Sequence, residues 1–471
     1  MTPRTRVGRV LAAGALVLAG GLAPLEAQER PGAAAAGDTM VVGLPDVERI
    51  ALENSPLMEV AYAQVDVSRA RETAARGLRF LPELNLRNVW GPVPQARGEF
   101  TETGVLISPD TMTGIDDLTW FTQVDLTLVQ PLFTFGKIGS RIDAAGHGVR
   151  AAQAGLDRTR ADLLNQVREL YWGAVLTDEL VRVARSLQDR VDEAETRLEE
   201  LYDEGSATQN DMFKFELFRY EVSSQMREVD ASRSRAFSGL KALLGLPDDT
   251  PVRLADQELY AMEVELDSLP DYIRSGLARR PELRQLEAGI AAREALVRAA
   301  AADGKPSFFL AGRYSFNESP GRFDPRNPFV NNPTNFSRPS ILLGMEWNLN
   351  FRQTGDQARM ERRETEALAA QVGPLRRLVE QEVREAYLDV VRARDDVEDG
   401  RTALRASENL LRAELQTFDI GIGNIEDVID AFKSNVEMTV TQFRNLARFN
   451  TKVAELNRRA GRTSLQNGIE P

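Results

Sequence analysis

The chain of 471 residues contains no cysteine and one histidine, His147. Without cysteine there is no disulfide, no thiolate nucleophile or thiolate metal ligand, and no acceptor for an N-terminal lipid, so a lipoprotein is not expected. One histidine, with no Gly-rich phosphate loop after a strand, leaves no material for a catalytic triad, a His-based metal set or a nucleotide cradle. No enzymatic activity, resident metal or cofactor is expected. His147 stands in Ala-Ala-Gly-His-Gly-Val at a helix start and reads as a structural or surface residue. Beyond the N-terminus no run of 18 apolar residues occurs, so no transmembrane helix is expected. The formal charge of −13 argues against binding nucleic acid through its phosphates.

At the N-terminus, Arg4, Arg6 and Arg9 precede an apolar run from Val10 to Leu22, followed by Pro24 and Ala27. Basic start, apolar core and small-residue exit make residues 1–27 a secretory signal peptide, with cleavage expected near Ala27 and Gln28. Residues 28–45 read as a flexible segment. An exported protein without a membrane helix is either soluble or crosses a membrane as a β-barrel.

The rest divides into two similar halves, 46–250 and 251–460, with a mobile tail at 461–471. Each half opens with a helix. The first is expected from about Asp46 to Arg76, stopped by Gly77. The second runs from Pro281 to about Ala302, and Pro56 and Pro281 mark matching first turns. Period-two alternation then predicts strands at about 80–90 and 119–130, and again at about 305–316 and 340–351. Leu84, Leu86 and Trp90 alternate with Asn85 and Arg87; Ile341, Leu343, Met345, Trp347, Leu349 and Phe351 alternate with polar residues. Irregular loops, Gly91 to about Leu118 and Asn317 to Pro339, join the strands of each half. Strands of about ten residues suit a tilted membrane span, and Trp90, Trp120, Tyr314 and Trp347 suit an apolar–polar boundary.

Each half closes with a long helical hairpin, 137–246 and 353–459. Leu180, Ala184, Leu187, Val191, Ala194, Leu198 and Leu201 step by four and three, while Val383, Val390, Val397, Leu404, Leu411 and Phe418 fall seven apart. That repeat selects coiled-coil packing. The hairpin tips match at an offset of 216: Tyr202, Gly205 and Asp211 against Phe418, Gly421 and Asp427, with Tyr171 and Tyr387 fixing the same offset upstream. Internal duplication is the expectation.

In this order, the two repeats, Pro281-Glu-Leu, Gln130-Pro-Leu-Phe133 and the paired tips resemble the TolC-like outer-membrane efflux proteins over nearly the whole mature length. The resemblance implies an α+β membrane protein that forms a homotrimer. Each chain would give four strands to a shared 12-stranded outer-membrane β-barrel, continued by a periplasmic α-helical coiled-coil barrel. It implies the exit duct of a tripartite efflux or type I secretion system, set in outer-membrane lipid. The partners would be a periplasmic adaptor and an inner-membrane transporter of RND, ABC or MFS type. Residue by residue, it carries over two acidic residues three apart, Asp427 and Asp430, to a constriction at the periplasmic end. It also carries over adaptor docking at the tip turns, Gly205, Thr208, Asp211, Gly421 and Asn424. An alternative for the two aspartates is that they complement the helix dipole. Where the family carries an arginine after the second tip glycine, this chain has Gly423. The competing class, a soluble periplasmic coiled-coil adaptor or scaffold, explains the hairpins and the export but not four amphipathic strands.

Overall fold

The computed structural model describes residues 39–80, 82–97, 111–112, 117–322, 324, 329, 331–420 and 422–462. The expected signal peptide therefore lies outside the described residues.

Proline placement sets the first elements. Strand β1 (Met40–Val42) leads into helices α1 (Leu44–Asn54) and α2 (Pro56–Phe80). Ser55 between them has φ −67° and ψ 128°, the extended conformation that a following proline imposes. The single helix expected from Asp46 is thus two. Nor does Gly77 end it: a glycine inside a helix costs about 1 kcal/mol against alanine, too little to stop α2 short of Phe80.

From α2 the chain enters β2 (Glu83–Pro94), makes a two-residue ribbon of β3 (Ala96–Arg97) and β4 (Thr111–Met112), and returns as β5 (Leu118–Phe133). The hairpin α3 (Lys137–Asp203) and α4 (Gln209–Leu243) follows. With 67 residues, α3 is roughly 100 Å long at about 1.5 Å per residue. Gly245, at φ +68°, ends the hairpin and leads to β6 (Val252–Leu254).

The second half repeats the order: α5 (Leu269–Arg279), α6 (Pro281–Ala302), β7 (Ser307–Glu318), β8 (Phe336–Glu346), α7 (Phe351–Ala369), α8 (Val372–Asp419) and α9 (Ile425–Arg459). Arg280, before Pro281, has the same elbow geometry as Ser55. Both α4 and α9 are 35 residues long and begin 216 residues apart.

Three sequence expectations need correction here. The outgoing helix of the second half is broken at Ala370 and Gln371. Pro374 lacks an N–H to reach the Ala370 carbonyl, and it is tolerated because it sits in the first turn of α8. Phe80 belongs to α2, so the first long strand starts at Glu83. The fourth strand is Phe336–Glu346, not 340–351. Trp347 to Asn350 turns out of the sheet, with the Asn350 N–H on Asn348 Oδ1 at 3.0 Å, and Phe351 opens α7.

Short elements lie outside the reach of periodicity. Met40–Val42, within the segment expected to be flexible, pairs in parallel with Val252–Leu254 and ties the start of the first half to the start of the second. Gly461, at φ +66°, caps α9, and the Arg462 N–H reaches the Asn457 carbonyl at 2.8 Å, so these two residues belong to the helix end; the rest of the expected tail lies outside the described residues.

The four long strands form one antiparallel sheet in the order β2-β5-β7-β8. Register puts Leu84, Leu86 and Trp90, then Trp120, Val124, Leu126 and Leu128, on one face. Leu310, Tyr314 and Phe316 continue that face across β7, and Ile341, Leu343 and Met345 across β8. Among the described residues nothing covers this apolar face: Ile341 is 79% and Leu343 73% exposed. Nothing pairs with the outer edges of β2 and β8 among the described residues.

The core lies among the helices instead. One cluster joins α1, α3, α5, α8 and α9 around Val167, Tyr171, Trp172, Val383, Val390 and Val453. The hydroxyl of Tyr171 donates to Asp256 at 2.5 Å; burial, then this carboxylate, push the phenol's pKa far up. A second cluster fills the far end of the hairpins. Among the described residues no helix is long and apolar enough to cross a membrane.

Candidate functional site at the helical tips

The tips are built twice from the same backbone bonds. At the end of α3 the Glu204 N–H reaches the Glu200 carbonyl, and the Ser206 and Ala207 N–H groups converge on the Leu201 carbonyl at 2.8 and 3.0 Å. At the end of α8 the Ile420 N–H reaches Gln416, and those of Ile422 and Gly423 converge on Thr417 at 3.1 and 2.9 Å. Every donor and acceptor is displaced by 216. Gly205 takes φ +77°, the left-handed conformation that closes a helix through glycine. Gly421 lies outside the described residues.

Gly423 has a local cause. Its Cβ would lie 2.6 Å from Phe418 N and 2.9 Å from Phe418 Cα, so the chain folds back too tightly here for any side chain.

The returning helices are capped differently. Thr208 Oγ1 accepts from the Asp211 N–H at 3.3 Å, while Asp211 Oδ2 accepts from the Thr208 N–H and hydroxyl at 2.9 and 2.6 Å. This reciprocal cap occupies the Asp211 carboxylate. The Thr208 hydroxyl holds the Asp211 pKa below the usual carboxylate range. On α9 the cap is Asn424, whose Oδ1 accepts from the Glu426 N–H at 3.0 Å. Asp427, at the place of Asp211, is outside that cap and exposed, and Asp430 one turn on is exposed as well. Gly205, Thr208 and Asn424 are likewise exposed.

Between α4 and α9 runs a tie that sequence reasoning missed. Lys214 pairs with Glu426 at 2.9 Å, Lys433 with Glu221 at 2.8 Å, and the Phe218 and Phe432 rings stand 6.2 Å apart between them. The signal was available: 214/426 and 221/433 are opposite charges at one offset, 212, a heptad apart. Phe215, Phe218, Ile425, Val428, Ile429 and Phe432 form the apolar core beneath. On the outer side of α4, Phe213, Leu217 and Tyr220 follow steps of four and three and are exposed, Leu217 by 71%.

The interface aromatics are dispersed. Trp90 and Trp120 stack with centroids 5.8 Å apart toward the loop end of the sheet. Trp347 lies past β8 at the helix end, its indole N–H on the Gly304 carbonyl at 3.1 Å. Tyr314 shares the apolar face but pairs with Leu126 and Pro339, four residues along β7 from Glu318, which shares a row with Trp90.

Three comparisons bear on this geometry. The sequence matches the family described as outer membrane efflux protein over residues 48–246 and 272–457. It is 27% identical over 222 residues to the alkaline protease secretion protein AprF of Pseudomonas aeruginosa. That match covers 45% of this chain and 42% of AprF, so it spans less than half of the relative. In fold, the chain is similar to CusC, at TM-score 0.73 and 16% identity over 90% of this chain and 94% of that one. It is also similar to the CmeC outer membrane channel of Campylobacter jejuni, at TM-score 0.71 and 13% identity over 89% and 85%.

Proposed function

Because the chain belongs to the outer membrane efflux protein family, we propose that three copies assemble into a passive duct. Its barrel lies in the outer membrane and its helices cross the periplasm. The observation that carries this reading is the four-stranded sheet, with an uncovered apolar face and open edges at β2 and β8. In hydrocarbon an unpaired edge leaves N–H and C=O groups without partners, so only a closed barrel is viable. Two copies would give eight strands, whose interior side chains just fill; three give twelve and leave a lumen. The repeated element order and the common 216 offset support an internal duplication as the source of the two halves.

The tips are the periplasmic end. Asp427 and Asp430, exposed and free of the helix cap, supply two stacked rings of three carboxylates that attract cations and narrow the exit. The Phe213, Leu217 and Tyr220 ridge packs against the neighbouring copy. The turns at Gly205, Thr208, Gly421 and Asn424 receive a periplasmic adaptor, through which an inner-membrane transporter supplies cargo and energy. Asp211 contributes to that surface by holding the Thr208 cap. The name of AprF speaks of protease secretion, which makes secreted polypeptide one cargo class for this duct.

The absence of cysteine allows a clean test of assembly. Asn85→Cys on β2 and Ser340→Cys on β8, introduced together and bridged with a short bis-maleimide in isolated outer membranes, are expected to give dimers and trimers and nothing larger. Monomer alone, or a ladder beyond three, would overturn the closed trimer.

A further inference from the structure

The polar face of the sheet is unevenly charged. Its charged residues are Glu83, Arg87, Asp125, Arg313, Arg338 and Glu346. Glu83 opens β2 and Glu346 closes β8, so both carboxylates sit at the helix end of the sheet. Farther out, Arg87, Asp125, Ser315 and Arg338 are successive partners in a single row across all four strands, and Arg313 stands in the next row, between Thr127 and Ser340.

Asp125 is already engaged. It accepts from the Ser315 hydroxyl at 2.7 Å, Gln123 Nε2 at 2.6 Å and Arg313 Nη2 at 3.3 Å. Arg338 donates to uncharged groups, Asn331 Oδ1 at 2.7 Å and the Asn332 carbonyl at 2.9 Å, and its guanidinium lies over the Phe336 ring. Among the described residues, neither Arg87 nor Arg338 has a carboxylate within ion-pair distance, and both are exposed. The opposite face carries no charge through Leu84–Pro92, Trp120–Gln130, Phe308–Phe316 and Ser337–Met345.

We propose that Arg87, Arg313 and Arg338 form a basic belt inside the barrel that binds anionic solutes, carboxylates or phosphates, as they leave. This rests on the closed-barrel reading, which turns the polar face to the lumen. Three copies would set nine arginines against three aspartates in the belt. Guanidinium groups grip carboxylate and phosphate through paired N–H donors. At physiological salt such charges are screened beyond about 8 Å, so the belt acts on solute within the pore and not on the bulk. The duct then has opposite polarity at its two ends, acidic at the tips and basic in the barrel.

Single-channel recording with tripolyphosphate as the probe tests this. Added to the barrel side, it is expected to block the wild type, and Arg87→Gln/Arg338→Gln to need at least about tenfold more for the same block. Arg87→Lys/Arg338→Lys, which keeps the charge, should retain most of the block. A conducting wild type indifferent to tripolyphosphate, or a Gln variant blocked at the wild-type concentration, overturns the belt alone. A protein that forms no channel overturns the barrel reading and the belt with it.

Discussion

Single residues at the tips carry opposite kinds of constraint. Gly423 is fixed by backbone crowding, so Gly423→Ala is expected to loosen the second tip and leave the first alone, with hydrogen exchange at Ile422 to Glu426 as the readout. Thr208 and Asp211 are fixed by mutual capping. Thr208→Ala should cost about 1 kcal/mol. The Asp211 pKa is depressed in the folded protein, so its contribution is fully present above the ordinary carboxylate pKa and is lost as pH falls through the lower folded value. Acid titration of exchange at the α4 N-terminus should therefore show a step below about pH 4 that Asp211→Asn lacks. At α9 the capping side chain is Asn424, an amide that carries no titrating proton.

Among elements, the hairpin ends are held by the α4–α9 tie. Phe218 is buried against Phe432, so Phe218→Ala is expected to cost about 3–5 kcal/mol. The flanking ion pairs are exposed and screened by solvent, so each adds less than the buried rings do. Lys214→Glu should weaken the tip measurably only when Glu426 is kept, and the exchange Lys214→Glu/Glu426→Lys should restore it; a double-mutant cycle in protease resistance checks the coupling. Leu217→Asp acts on a surface open in the single chain, so on the trimer proposed above it should leave helix content intact while lowering the cross-linked trimer fraction.

Elements also show how far a sequence can be read. Heptad residues such as Val191, Leu198, Val383 and Val390 are buried because a seven-residue repeat keeps one helix face on its partner. The strand alternation is legible for the corresponding reason, a single solvent change across the sheet. Ends are less legible. Period two runs on through Leu349 and Phe351 after the ladder has stopped at Glu346, and Gly77 looks like a stop although packing carries the helix through it. Pro374 breaks the second long helix upstream of the heptads, which begin at Val383 and so do not mark the break. At the tips, glycine spacing is visible in the chain. The reason for Gly423, and the division of labour between a capping Asp211 and an uncapped Asp427, depend on backbone distances that composition does not carry.

For the whole molecule, one architecture reconciles an exposed apolar sheet, two open edges, an uncovered ridge on α4 and a core confined to the helices. Open sheet edges and large apolar patches are liabilities for a lone chain in water, and the membrane-spanning trimer proposed above would cover each with a suitable neighbour. The acidic tip and the basic sheet then become two stations along one path. The most direct measurement is single-channel conductance of the purified full-length protein in planar lipid bilayers, with Asp427→Ala/Asp430→Ala beside the wild type. The duct reading expects long-lived, cation-preferring openings from the wild type and larger, less selective ones from the variant. A wild type that never conducts would contradict the duct, and a variant with unchanged conductance and selectivity would contradict the constriction.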